Sequence, residues 1–164
     1  MEQIWAPWRM SYIANADKHE GCFFCDKPNE SNDVENYIIL RGEHAFILLN
    51  AYPYSNGHLM VAPYQHTANM DELSNEEMLE MMQLTRRAVN LLKTAFHPDG
   101  FNVGVNMGRV AGAGVADHLH IHVVPRWNGD TNFMLVLGDV RVIPESLESV
   151  YVKLRTVLEE EEGK

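Results

Sequence analysis

An α+β fold, with a mainly antiparallel sheet of about five strands and two principal helices, is the architecture this sequence predicts. Three observations carry that prediction. Short aliphatic runs recur at close spacing between turn residues, as antiparallel strands do. Two longer stretches, 74–96 and 144–162, change to a helical period of apolar residues. The length of 164 residues, 46% of them hydrophobic, suits one domain with a real core, so 1–164 reads as a single unit.

Residues 1–35 read as an irregular N-terminal segment. It contains "WAPWRM", whose Trp5 and Trp8 suit hydrophobic anchors on the body or on a partner subunit, and "GCFFC" at 21–25. Strand-like "NYIIL" (36–40) and "AFILLN" (45–50) flank the turn "RGEH"; the loop "AYPYSNG" then leads to a third run, "HLMVAP" (58–63). Ser74, with Glu77 three residues on, is a capping box that opens a helix. Met78, Met81, Met82, Thr85, Ala88, Val89, Leu92 and Phe96 form its apolar face, read as core packing rather than a cofactor box. "HPDG" at 97–100 stops it.

A fourth strand, "FNVGVN" (101–106), and a fifth run (118–124) flank the glycine-rich "MGRVAGAGVAD". The second helix begins at Pro144, with Leu147, Val150, Tyr151, Leu154, Val157 and Leu158 as its stripe. Four glutamates, 159–162, oppose the dipole at its C-terminal end, so fraying is expected there.

A net charge of −10 speaks against nucleic acid as a partner, but not against a small phosphorylated ligand in a pocket lined with donors. No long apolar run or leader-peptide pattern is visible, so a soluble cytoplasmic protein without a membrane segment is expected. Cys22 and Cys25 are too close for an ordinary structural disulfide and too few for a secreted framework. They are a redox pair, half of a zinc site, or two small apolar residues in a loop.

"DHLHIHVVPRW" (117–127) is the most informative stretch. On a strand, alternate side chains share a face at a spacing of roughly 6.6–6.8 Å. His118, His120 and His122 therefore line one face, while Leu119, Ile121 and Val123 pack on the other. Such a row can hold a metal, handle an anion, or form an exposed stripe, for which Lys, Thr or Glu are commoner. As zinc ligands the rings would activate a water, though the acidic partner that follows H-x-H in many metallohydrolases is missing and Asp117 precedes the run. As an anion site, a neutral central imidazole attacks phosphorus while its neighbours and the glycine-rich backbone stabilise the charge.

"HLHIHVV" is the H-φ-H-φ-H-φ-φ pattern, and with it the chain resembles the histidine triad superfamily of nucleotide hydrolases and transferases, implying a HIT-like fold and a homodimer. "FILLNAYPYSNGHLMVAP" resembles that family's nucleoside-side strand and loop, and "VNMGRVAGAG" its phosphate-side loop. "WAPWRM" and "VVPRWNGDTNF" look like the bacterial branch related to diadenosine tetraphosphate phosphorylases and dinucleoside polyphosphate hydrolases. Proline and arginine after the triad also resemble the fragile-histidine-triad branch.

The resemblance implies His120 as nucleophile, forming a nucleotidyl-histidine, with His122 on the phosphate and leaving group and His118 orienting the site or binding zinc. Asn50 would hold the ribose hydroxyls, and His58 would lie near the nucleotide or serve structurally. Asn106, with the backbone about Gly112 and Gly114, would sit by the α-phosphate. The sequence departs from many relatives here, having Gly114 and Val115 where they place glutamine, serine or threonine, which leaves the phosphate donors and the leaving group open.

Zinc-bearing relatives, the galactose-1-phosphate uridylyltransferases among them, combine a CxxC with one distant histidine and the first triad histidine. Cys22, Cys25, His66 and His118 match that set, a closed structural zinc site. Arg126 and Trp127 would reach a distal phosphate or base, or pack at a dimer interface; His19, His44 and His97 suit surface positions.

The implied activity is nucleotidyl transfer to water or phosphate from a dinucleoside polyphosphate or a nucleoside phosphate-X. The ligand would be an adenine nucleotide, with magnesium able to accompany the polyphosphate. Two other readings stay open: a zinc hydrolase with the triad as ligands, and a nucleotide-binding regulator with little turnover.

Overall fold

The computed structural model describes residues 21–130 and 142–163. Trp5, Trp8, His19 and the end of the "WNGDTNF" stretch lie outside them. Five strands form one antiparallel sheet in the order β1-β2-β3-β5-β4: β1 Ile38–Arg41, β2 Ala45–Leu49, β3 Leu59–Pro63, β4 Gly100–Val105 and β5 Ile121–Arg126. The expected α+β class, antiparallel sheet and two principal helices are therefore present, and the described residues add a short third helix. The addition is α1, Phe23–Asn29, which runs through the CxxC inside the segment expected to be irregular. Seven residues give too short a window for a periodic signal.

The long helix α2, Asn75–Phe96, starts at the expected capping box: the Ser74 hydroxyl accepts from the Glu77 N–H while the Glu77 carboxylate accepts from the Ser74 N–H. It ends on His97 in the left-handed region, at φ 47°. Its buried stripe is Met81, Leu84, Thr85, Ala88, Leu91 and Leu92. Met81, Thr85, Ala88 and Leu92 of the expected face are buried, with Leu84 and Leu91 beside them, while Met78 and Met82 are 39% and 59% exposed and correct to the flank of that stripe.

The last helix, α3, spans Leu147–Glu162 and is capped by the Ser146 hydroxyl, which accepts from the Ser149 N–H; Pro144 precedes it instead of forming its first turn. Fraying at 159–162 is not seen: Arg87 pairs with Glu161 at 2.6 Å, and Arg155 reaches Glu159 at 3.4 Å. Val150, Tyr151, Leu154 and Leu158 are buried as expected.

Both long helices pack on one sheet face, against Ile39, Ile47, Leu49, Leu59, Val61, Leu119, Ile121 and Val123. Each fully buried aliphatic side chain of such a core contributes about 1.5–3 kcal/mol. The opposite face carries Ile38, Phe46, Leu48, Met60 and Ala62, covered by Phe24 of α1. β1 is an edge strand whose outward carbonyls are closed off by α3: Ile38 O accepts from the Tyr151 hydroxyl at 3.2 Å, and Ile39 O from Arg155 Nη1 at 2.8 Å. The β1–β2 turn is held by the Glu80 carboxylate, which accepts from the backbone N–H groups of Glu43, His44 and Ala45. Burial opposes the charge of Glu80, but those three donors hold it below the ordinary carboxylate range.

Candidate active site

The paired ladder of β5 starts at Ile121, so His118 and His120 stand on the segment leading into the strand and only His122 lies within it. The expected alternation nevertheless holds. Leu119, Ile121 and Val123 enter the helix-side core. The three histidines point to the other face, with exposures of only 1%, 4% and 8% for His118, His120 and His122. An exposed polar stripe is thereby ruled out.

Phe24, on the short helix α1, packs against this row, 5.1 Å from the His118 ring and 4.7 Å from that of His120. The rings of His120 and His122 are 4.7 Å apart, edge to face. Burial lowers the proton affinity of all three, taking His118 and His122 down to about 4, so the rings are neutral near pH 7.

A neutral imidazole has one N–H and one lone pair, and the fixed partner of each ring decides which nitrogen carries which. His118 Nε2 is 2.9 Å from the Pro63 carbonyl, which can only accept, so Nδ1 keeps the lone pair. His120 Nδ1 is 2.8 Å from the His118 carbonyl and must donate, which leaves the lone pair on Nε2. For His122 the argument runs through His58, which is fully buried. The Tyr54 backbone N–H donates to His58 Nδ1 at 3.1 Å, so His58 Nε2 carries the proton and donates to His122 Nδ1 at 3.0 Å. The proton of His122 is therefore on Nε2.

His118 turns its Nδ1 lone pair away from the other two rings. It lies 3.2 Å from Cys22 Sγ, 3.5 Å from Cys25 Sγ and 3.3 Å from His66 Nδ1, and Cys25 Sγ is 3.4 Å from His66 Nδ1. The four ligand atoms lie within 4.8 Å of one another. Tetrahedral zinc, with bonds of about 2.0–2.3 Å, sets its ligands about 3.3–3.8 Å apart, so this donor set fits zinc. Burial, with the second thiol beside it, pushes Cys25 up to about 11 in the absence of an ion. A cleft lined by these two cysteines, His66, Gly21, Val115 and Asp117 opens over the cluster.

On the other side of the row, Asn50 lies beside His58: its Oδ1 accepts from the Tyr52 N–H at 2.8 Å, and its amide nitrogen is 3.3 Å from His58 Nδ1. Asn106 and Gly112 come together in the glycine-rich loop, where a Cβ on Gly112 would lie 3.9 Å from the Asn106 amide; Gly112 has φ +88°. Gly114 belongs to the same loop, and Val115 packs against the cluster that contains Phe24. Arg126 and Trp127 are held locally. The Arg126 guanidinium binds Asp130 at 2.5 and 2.9 Å and Asn102 at 2.7 Å, and Trp127 Nε1 donates to the Phe96 carbonyl at 3.4 Å.

Two residues packed on the row are not picked out by the sequence analysis: Phe24 stands between two cysteines whose spacing is the stronger signal, and Tyr54 lies in a loop with no period. The aromatic character of "YPY" four residues before His58 was the one available signal for Tyr54.

Among known proteins, residues 31–129 match the model of the HIT domain. The chain is 40% identical over 164 residues to an AP-4-A phosphorylase of Mycobacterium tuberculosis (strain ATCC 25618 / H37Rv), covering 95% of this chain and 84% of that protein. An adenosine 5'-monophosphoramidase of Schizosaccharomyces pombe (strain 972 / ATCC 24843) is 28% identical, covering 79% of this chain and 92% of its own length. The crystal structure of a Zn-bound histidine triad family protein from Mycobacterium smegmatis superposes with a TM-score of 0.69 at 28% identity, over 87% of this chain and 96% of that one.

Proposed function

Because the chain belongs to the HIT domain family and is an enzyme of it, a nucleotide hydrolase or transferase, we propose that it cleaves dinucleoside polyphosphates such as diadenosine tetraphosphate at the α-phosphate, with inorganic phosphate as acceptor. The observation that carries this reading is the tautomer of His120. With Nδ1–H committed to the His118 carbonyl, a neutral, buried Nε2 lone pair is left for attack on phosphorus.

In the first step that lone pair forms a P–N bond and the P–O bond to the remaining phosphates breaks, its electron pair leaving with the oxygen. His122 Nε2–H donates to the phosphate and the departing oxygen. In the second step phosphate attacks the nucleotidyl-histidine and His120 regains its lone pair. Asn50 and His58 would serve the nucleoside side; Asn106, Gly112 and Gly114 would offer donors to the α-phosphate. Phosphate as acceptor follows the M. tuberculosis relative's name, and the other nucleoside phosphate-X substrates follow that of the S. pombe one.

Cys22, Cys25, His66 and His118 would hold a structural zinc, and the Zn-bound relative supports that reading. When bound, such an ion supplies a rigid tie between α1, the loop after β3 and the triad segment. The zinc-hydrolase reading is disfavoured, because His120 and His122 stand outside the ligand cluster. A homodimer is supported by the outer edge of β4, which pairs with no further strand among the described residues and where Val103 is exposed, since such edges invite pairing. One domain over 1–164 completes the reading.

The test is incubation with diadenosine tetraphosphate, with and without phosphate, resolving products by chromatography beside His120→Ala. ADP plus ATP, formed only with phosphate and lost in the variant, is the expected result. AMP plus ATP without phosphate would make water the acceptor, and full activity in His120→Ala would refute the nucleophile.

A further inference from the structure

Beyond the triad, the Tyr54 ring rests on both members of the His58–His122 pair. Its centroid is 4.6 Å from that of His58, and 5.6 Å from that of His122 with the planes 29° apart. The residue as a whole is 45% exposed. The backbone N–H of the same residue sets the tautomer of His58. Tyr54 thus stands against the two rings that decide where the His122 proton lies.

We propose that Tyr54 is a positioning residue for His122, and that through His122 it sets how well the site can help a poor leaving group depart. This rests on the reading above, in which His122 Nε2–H meets the departing oxygen. A ring stacked on an imidazole restricts its rotation and excludes water from its face, so the Nε2–H stays aimed and keeps its full strength as a donor. The chemical step is unchanged: the P–N bond to His120 forms, the P–O bond breaks, and the electron pair goes to the leaving oxygen, whose charge the His122 Nε2–H stabilises by a hydrogen bond. A weakly acidic leaving group, which gathers more charge on its oxygen, needs that donor more than a strongly acidic one does.

The experiment uses two aryl esters of adenosine monophosphate, 4-nitrophenyl and unsubstituted phenyl, which differ only in the acidity of the phenol released. Phenol release is followed in a single turnover of the full chain. Tyr54→Ala is expected to slow the phenyl ester on the order of tenfold, the scale of one lost aromatic contact, and the 4-nitrophenyl ester by less than about threefold. Tyr54→Phe, which keeps the ring, should behave as wild type on both. Tyr54→Leu refills the volume without a π-face and repeats the contrast if alanine disturbs the loop.

Equal losses on the two esters, or a Phe variant as impaired as Ala, would overturn the inference while leaving the functional reading intact. A loss confined to KM would do the same, since it would mean that the ring only holds substrate. Failure of the wild-type chain to cleave either ester would overturn the functional reading and this inference together.

Discussion

Neutrality of His122 at working pH has a measurable consequence for stability. Its ring is buried, and burial together with the neighbouring His120 lowers it from 6.5 to about 4. The groups facing it are His120, His58 and Tyr54. Because the folded chain resists the proton, the unfolded chain takes it up first as the pH falls. The stability this ring contributes is therefore complete above about pH 6.5 and lost progressively toward about pH 4. At about 1.4 kcal/mol per pH unit, the fall from 6.5 to about 4 is worth about 3.5 kcal/mol in full, and about 2 kcal/mol between about pH 7.5 and about pH 5. Urea unfolding of chelated protein at those two pH values gives the loss directly, without a contribution from metal release. His122→Gln, which cannot titrate, should lose about 2 kcal/mol less than wild type over the same interval. If the two proteins lose the same stability, His122 is not held neutral by the fold, and its assignment as a neutral donor fails.

Three further outcomes are expected. Purified chain should carry about one zinc, and Cys25→Ser or His66→Ala should lose it on dialysis, read by atomic absorption; equal metal in wild type and variants would remove the tetrahedral site. Glu80→Ala should cost on the order of 2 kcal/mol in urea unfolding, since three backbone donors lose a charged acceptor, with turnover of diadenosine tetraphosphate unchanged. Val103→Glu, which sets like charges against each other along the β4 edge, should shift the chain from dimer to monomer in sedimentation; an unchanged mass would place the dimer elsewhere.

How much of this was legible depends on the range of the interaction. The five strands and both long helices declared themselves because their periods are local and repeated, and the Ser74–Glu77 box spans only three residues. The histidine row was legible for the same reason: alternation alone puts His118, His120 and His122 opposite Leu119 and Ile121. What alternation cannot say is which nitrogen of each ring faces outward. That depends on the Pro63 carbonyl, 55 residues from His118, and on His58, 64 residues from His122. The exposure of Met78 and Met82 has a similar origin. A helix wheel gives the stripe within one residue or so, and the sheet beneath α2 chooses between Met82 and Leu84.

On the proposed reading, the row of rings also divides the labour in a way its sequence symmetry hides. Three histidines at equal spacing would seem interchangeable, yet each is committed by a different partner. His118 gives its N–H to a strand carbonyl and its lone pair to the cysteine cluster, so it cannot also attack phosphorus. His120 gives its N–H to the His118 backbone, so its outward nitrogen is nucleophilic. His122 receives a proton donor from behind, so its outward nitrogen can only donate. A metal on His118 would fix the carbonyl that orients His120 without touching the reacting atoms. On that argument zinc removal and His120→Ala are distinguishable: chelation should lower turnover while leaving a nucleotidyl-histidine that can still form, whereas the alanine variant forms none. Trapping the labelled intermediate by rapid alkaline quench separates the two. An intermediate absent after chelation, from a chain that is still folded, would show that the metal end takes part in the chemistry.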